Sequence, residues 1–284
     1  MTAAQSPHRG PVPSSRHPLT KVPEITAWFW IVKVLTTGMG EATSDFLVHD
    51  LSPAIAVVIG FVVFVIAMTL QFASPRYRTW LYWLAVSMVA VFGTMAADVL
   101  HVGLHIPYVV STAFYAVVLT VIFVLWYRTE GTLSIHSIYT RRREAFYWAT
   151  VLATFALGTA AGDLTATTVG LGYLGSGIMY LIVIAVPAVA YRWLGLNAIA
   201  AFWFAYIVTR PLGASFADWL AWPQSRGLGY GHGTVSLVSA LIIAVLVGYL
   251  AVTGKDVPGQ VTAPGSGRHR AVQPLGDPVR KASP

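Results

Sequence analysis

Asp45, Asp98, Asp163 and Asp218 are the residues whose placement first suggests chemistry, because each lies within a long apolar stretch and follows the same landmarks at the same distances. Phe29-Trp30, Tyr82-Trp83, Tyr147-Trp148 and Phe202-Trp203 come first, then Gly40, Gly93, Gly158 and Gly213. The pattern is an aromatic, Trp, nine residues, Gly, four residues, Asp, repeated four times without a gap. The whole chain holds only seven aspartates, so four at this spacing are a repeat and not an accident of composition. An ionisable group inside a membrane span costs about 2.5–3.5 kcal/mol on insertion scales and by default marks a functional position.

Each aspartate should fall in the last turn of its helix, where the macrodipole disfavours a carboxylate, so capping does not account for it. One turn earlier stand Glu41, Thr94, Thr159 and Ala214. Were the four helices to gather around one axis, up to five carboxylates would share a vestibule. Such a cluster cannot stay charged without a cation, a basic partner or a bound proton. The expected cation-binding set is therefore Asp45, Asp98, Asp163 and Asp218, with Glu41, Thr94 and Thr159 beside them. Carboxylate and hydroxyl oxygens suit hard ions such as Mn²⁺ or Mg²⁺, and the absence of cysteine removes thiolate ligands.

Two basic residues within the apolar stretches, Lys33 and Arg210, are expected to gate or pair with this charge. Each precedes an acid, Glu41 or Asp218, by eight residues, about 12 Å along a helix, so any direct partner must come from a neighbouring repeat. The alternative is that both snorkel to the inner surface. Pro211 should kink its span after Arg210 and free backbone carbonyls. His49, His101, His105 and His232 collect on the aspartate side, either as ordinary loop histidines or as a metal-loading site. Trp30, Trp83, Trp148 and Trp203 lie about 22 Å from their aspartates along a helix. They should mark the opposite membrane interface as an aromatic belt, while the four glycines allow close helix crossing in the packing of the repeat.

The elements that must hold these residues are membrane spans. Of 284 residues, 56% are hydrophobic and 10% charged, which a water-soluble domain could not tolerate on its surface. Eight stretches reach the roughly 20 apolar residues a span needs, starting near residues 25, 52, 79, 106, 145, 173, 197 and 233. The expected fold is thus all-α, about eight transmembrane helices arranged as four same-orientation two-helix repeats over 24–75, 76–130, 141–195 and 196–253. Residues 1–23 and 254–284, which are poor in apolar side chains, should be disordered tails. Arg76, Arg78, Arg128, Arg141, Arg142, Arg143 and Arg192 occupy alternate loops, whereas Arg226 is the only lysine or arginine in the others. This places both termini in the cytoplasm of a multi-pass inner-membrane protein.

The repeat resembles that of a family of uncharacterised bacterial membrane-anchored proteins, defined by four tandem units of two spans with a recurring tryptophan. The resemblance covers roughly residues 22–253 and implies the architecture but no activity. There is no Walker loop, dinucleotide fingerprint or HExxH pair, so no ATP-driven step, organic cofactor or enzymatic role is expected. Partners should be the lipid bilayer and a small cation or solute, with no nucleic acid; an oligomer is compatible with the sequence. The expected function is secondary transport or export of a small hard cation such as Mn²⁺ or Mg²⁺, coupled or not to protons. The alternatives are a carrier for a small cationic or polar organic solute stacking on Tyr206, Trp219 and Trp222, and a membrane scaffold that transports nothing.

Overall fold

A computed structural model describes residues 20–258, except the side chains of His101 and Val102. The chain forms helices α1 (Ala27–Asp50), α2 (Pro53–Ala73), α3 (Thr79–Asp98), α4 (Tyr108–Glu130), α5 (Arg141–Asp163), α6 (Gly172–Val183), α7 (Ala185–Trp193), α8 (Ala198–Ala221) and α9 (His232–Thr253). No strand occurs among the described residues. Helices α6 and α7 are two parts of one rod, which makes eight rods, two per repeat. Seven are long and apolar enough to cross a membrane. The eighth, α1, carries Lys33, Glu41 and Asp45, and buries the first two completely or nearly so. The protein is a polytopic α-helical membrane protein.

Lipid dictates this choice of structure. The outer rods, such as α2 with its run AVVIGFVVFVIAM, are rich in β-branched residues that favour strands in water. Inside a bilayer every backbone polar group must be satisfied within the segment, and a helix does that. Local signals set the ends: Pro53 opens α2, the Asn197 carboxamide accepts the Ile199 amide at 2.8 Å to cap α8, and Gly131 and Gly254 close α4 and α9 in left-handed conformation.

The first helices of the four repeats, α1, α3, α5 and α8, form a closed ring in which each touches the next and α8 touches α1. The second helix of each repeat lies outside, and leans mainly on the inner helix of the following repeat: α2 on α3, α4 on α5, α6 on α8, and α9 back on α1. The outer spans are 17–22% buried, while α3, α5 and α8 are 56–72% buried.

Two layers of repeated residues make this ring. Added methyl groups at Gly40, Gly93, Gly158 and Gly213 would collide with Ala90, Phe155, Arg210 and Thr37 respectively. Each of those lies eight residues before the aspartate of the next repeat, the last step closing from repeat four to repeat one. Toward the other end, Phe29 packs on Trp83, Tyr82 on Trp148, Tyr147 on Trp203 and Phe202 on Trp30, with ring centroids 5.6–6.2 Å apart. The tryptophans are thus ring-to-ring contacts. Trp83, Trp148 and Trp203 are buried, which corrects the expectation of an interfacial belt. Their indoles fill the gap between inner helices that the small residues one level up keep close.

Helix α8 runs through Pro211, so the proline expected to kink the span does not interrupt the helix. One lost backbone bond is tolerated because neighbours hold the segment: Pro211 packs beside Gly158, and Thr37 Oγ1 donates to the Thr209 carbonyl at 3.1 Å. The break falls instead at Ile184, between α6 and α7, where Pro187 lacks the amide that would bond Val183. Beside it a cleft of about 590 Å³ opens between α1, α7 and α8. Packed residues are also found on either side of the expected boundaries 24–253. Val22 and Lys21 are buried, with Lys21 paired to Glu144 at 2.6 Å, and Asp256 is buried against Thr79 and Tyr77.

Candidate functional site

Arg210 stands at the middle of the ring with no solvent exposure. Its guanidinium reaches one side chain on each of the other three inner helices. Nη2 lies 2.5 Å from Glu41 Oε2 of α1, 2.7 Å from Thr159 Oγ1 of α5 and beside Thr94 Oγ1 of α3, with its two hydrogens shared among these three acceptors; Nη1 donates to the Thr37 carbonyl at 3.3 Å. Glu41, Thr94 and Thr159 are the same repeat position, four residues before the aspartate, so their meeting at one cation follows from the ring symmetry. The fourth copy, Ala214, sits one turn beyond Arg210 on α8. These three residues, expected among the cation ligands, are brought to Arg210 instead, one helical turn below the aspartates. Arg210 and Lys33 do not snorkel: both are fully enclosed. Arg210 finds its acid on a neighbouring repeat.

Above this node lie the aspartates, and they converge. Asp45 lies within electrostatic reach of Glu41 and Asp98, and Asp218 within reach of Glu41, Asp45 and Asp163. One ligand atom from each of Asp45, Asp218 and His232 falls within 4.8 Å of the others. His232 Nδ1 lies 3.2 Å from Asp45 Oδ2, yet makes no hydrogen bond of good geometry. Asp218 Oδ1 is buried without a hydrogen-bond partner, as are Ser44 Oγ and Ser215 Oγ, each within three residues of an aspartate of the cluster. Orphaned acceptors of this kind call for water or an ion. A carboxylate pair and one imidazole form a donor set that a divalent cation could occupy.

Asp98 and Asp163 share a different local geometry. Immediately after each, the helix widens into a π-helical turn, Val99–Gly103 and Leu164–Thr168. In both repeats a tyrosine of the outer helix donates to the carbonyl two residues before the aspartate: Tyr115 to Ala96 and Tyr180 to Ala161, each at 3.0 Å. In the other two repeats the inner helix continues to Asp50 or Ala221 without widening. The acidic layer is thus two-fold in character, with Asp45 and Asp218 gathered at His232 and the other pair set beside π turns.

Of the expected loading histidines, His232 belongs to the cluster. His49 stacks on it, with ring centroids 5.6 Å apart, while its Nδ1 lies 2.7 Å from the Asp45 carbonyl. His105 is exposed in the α3–α4 loop with φ 56°, and the side chain of His101 is outside the described residues. Trp222 packs edge-on to both His49 and His232, and Tyr173 stacks on Trp222 at 6.1 Å, which gives the acidic cluster an aromatic wall. Ser44, Ser215 and Tyr173 were not singled out in the sequence. The serines carry a readable signal, a hydroxyl next to or three residues from a repeat aspartate, but only in the first and fourth repeats.

A pseudosymmetric ring of four inner spans around an enclosed arginine, with carboxylates at one end, defines a four-repeat integral membrane protein. The repeats themselves give the relationship. The family described as Repeat of Unknown Function (DUF347) matches residues 28–77, 81–132, 146–195 and 201–256, and the chain belongs to it. No curated protein and no solved structure shows a significant match.

Proposed function

We propose that this protein is a secondary carrier of a small hard divalent cation, with Mn²⁺ favoured over Mg²⁺, bound by Asp45, Asp218 and His232. The observation that carries this reading is the convergence of those three ligand atoms within 4.8 Å in a largely enclosed site. An imidazole beside two carboxylates favours Mn²⁺, because Mg²⁺ holds its waters and accepts nitrogen poorly. By the distribution of arginines, the aspartate end faces away from the cytoplasm and both termini face it. Arg210, held by Glu41 one turn below the site, supplies a fixed positive charge that repels a bound cation. Release toward the cytoplasmic half would require Arg210 to move from Glu41. Glu41, Thr94 and Thr159 would then serve as the second station of the path, with Lys33 beyond it.

The aromatic wall of Trp222 and Tyr173 favours a second reading, a carrier for a small organic cation held by cation–π contact. Both are tested on purified protein in detergent. Mn²⁺ titration, read as loss of the free-ion electron paramagnetic resonance signal, should show saturable binding that Asp218→Asn weakens at least tenfold. Tetramethylammonium should not displace it. Displacement would favour the organic cation, and absence of binding by either probe would leave the ring as a scaffold.

A further inference from the structure

The half of the ring away from the aspartates holds polar side chains that the cation cluster does not use. Lys33 Nζ is fully buried and has no hydrogen-bond partner; it rests 4.2 Å from the Phe155 ring centroid and 4.3 Å from that of Tyr206. The Tyr206 hydroxyl lacks a hydrogen bond of good geometry, although it lies within electrostatic reach of Tyr147. From Tyr147 the line continues, because its hydroxyl and that of Tyr82 share a 2.5 Å hydrogen bond. The Tyr82 ring lies 5.7 Å from that of Tyr77, and the Tyr77 hydroxyl donates to Asp256 Oδ2 at 2.5 Å.

These groups come from different elements but form one sequence through the ring. Lys33 is on α1, Tyr82 on α3, Tyr147 on α5 and Tyr206 on α8, while Tyr77 lies between α2 and α3 and Asp256 just after α9. A row of hydroxyls is not needed for packing, since phenylalanine occupies the equivalent place in Phe29 and Phe202. Buried polar atoms are nearly always paired, and Lys33 Nζ, Tyr206 Oη and Arg210 Nε are three that are not. Water is the usual bridge between buried polar atoms that lack a direct partner. The charged and titratable groups facing Lys33 are Arg210 and Tyr206 on α8; beyond Arg210 lies Glu41.

We propose that this line is a proton path, running from Asp256 and Tyr77 through Tyr82, Tyr147 and Tyr206 to Lys33, with buried water bridging the unpaired atoms. Each hydroxyl accepts a proton on a lone pair and passes its own to the next group. Only O–H and N–H bonds form and break, and no electron is transferred. Burial and the neighbouring Asp256 carboxylate push the Tyr77 phenol well up, so it stays protonated and serves as a donor to Asp256 at the entrance. This deepens the carrier reading, because the path would bring the counter-ion to the face of the Arg210 node opposite the divalent cation.

The test uses the full chain in liposomes containing a pH-sensitive dye, with a potassium diffusion potential set by valinomycin. Wild-type protein should acidify the lumen, and Tyr147→Phe and Lys33→Met, which preserve shape, should each slow this at least fivefold. Both variants should keep Mn²⁺ binding by paramagnetic resonance, which shows that they are folded. Proton flux equal to wild type in both variants would overturn the path, as would no flux from protein that binds Mn²⁺. Flux without Mn²⁺ binding would remove the carrier reading and leave the proton path standing.

Discussion

At the residue scale the centre of the molecule is the Arg210–Glu41 pair, enclosed among Thr94, Thr159 and the Thr37 carbonyl. A buried pair gains little over apolar residues of the same volume, but removing one partner strands the other charge at a cost of about 3–5 kcal/mol. Glu41→Gln should therefore lower the unfolding midpoint in detergent sharply, read by tryptophan fluorescence. The double change Glu41→Leu with Arg210→Met should recover much of the loss while abolishing transport. Arg210→Lys should not rescue, because one ammonium cannot span three side chains and a carbonyl on three helices. If Arg210→Lys matched wild type in both stability and transport, the guanidinium geometry would not matter. The sequence exposed both halves of this site as rare ionisable residues at repeat positions. It could not expose their pairing, because Arg210 and Glu41 lie 169 residues apart and meet only when the ring closes.

At the scale of elements, the glycine layer decides how closely the inner helices approach. An alanine at Gly40, Gly93 or Gly213 would press on Ala90, Phe155 or Thr37 of the adjoining helix, and overpacking of this kind costs about 1–3 kcal/mol. Gly158→Ala should be the most disruptive for function, since its neighbours are Arg210 and Pro211. Gly248→Ala on α9 meets nothing and should be neutral or slightly stabilising. Thermal midpoints of these variants check the layer: equal values for Gly248→Ala and Gly158→Ala would contradict it. The spans themselves were legible, because apolar length and arginine-bearing loops are local properties. The two π turns and the break at Ile184 were not. Pro211 and Pro187 look alike in sequence, and only the packing of α8 against α1 and α5 keeps one helix whole, while α7, with an open cleft on one side, lacks that support. Pro187→Ala should thus restore a continuous span and narrow the cleft, measured as reduced labelling of an Ala188→Cys probe by a membrane-soluble maleimide. Undiminished labelling would assign the break to the neighbours of the helix and not to the proline.

At the scale of the whole molecule, the ring has no privileged first repeat. The step from repeat four to repeat one uses the same contacts as the others, Gly213 on Thr37 and Phe202 on Trp30, and α9 covers α1 as α2 covers α3. The two ends of the described residues already meet: the Glu24 amide donates to the Asp256 carbonyl at 2.9 Å. A circular permutant that joins residue 258 to residue 20 by a short Gly-Ser linker and opens between the exposed Leu194 and Gly195 should therefore fold. It begins with the fourth repeat and ends with the third. The expected result is a monodisperse protein with an unfolding midpoint within about 5 °C of the parent, the shift expected for about 1–2 kcal/mol, and unchanged Mn²⁺ affinity, since the opening lies just before α8, at the opposite end of that helix from Asp218. Opening the chain within α8 should instead abolish folding, because it severs the element that carries Arg210. A permutant opened at Leu194 that aggregates, while the parent trimmed to residues 20–258 does not, would show that chain order guides insertion into the bilayer and that closure of the ring alone does not specify the fold.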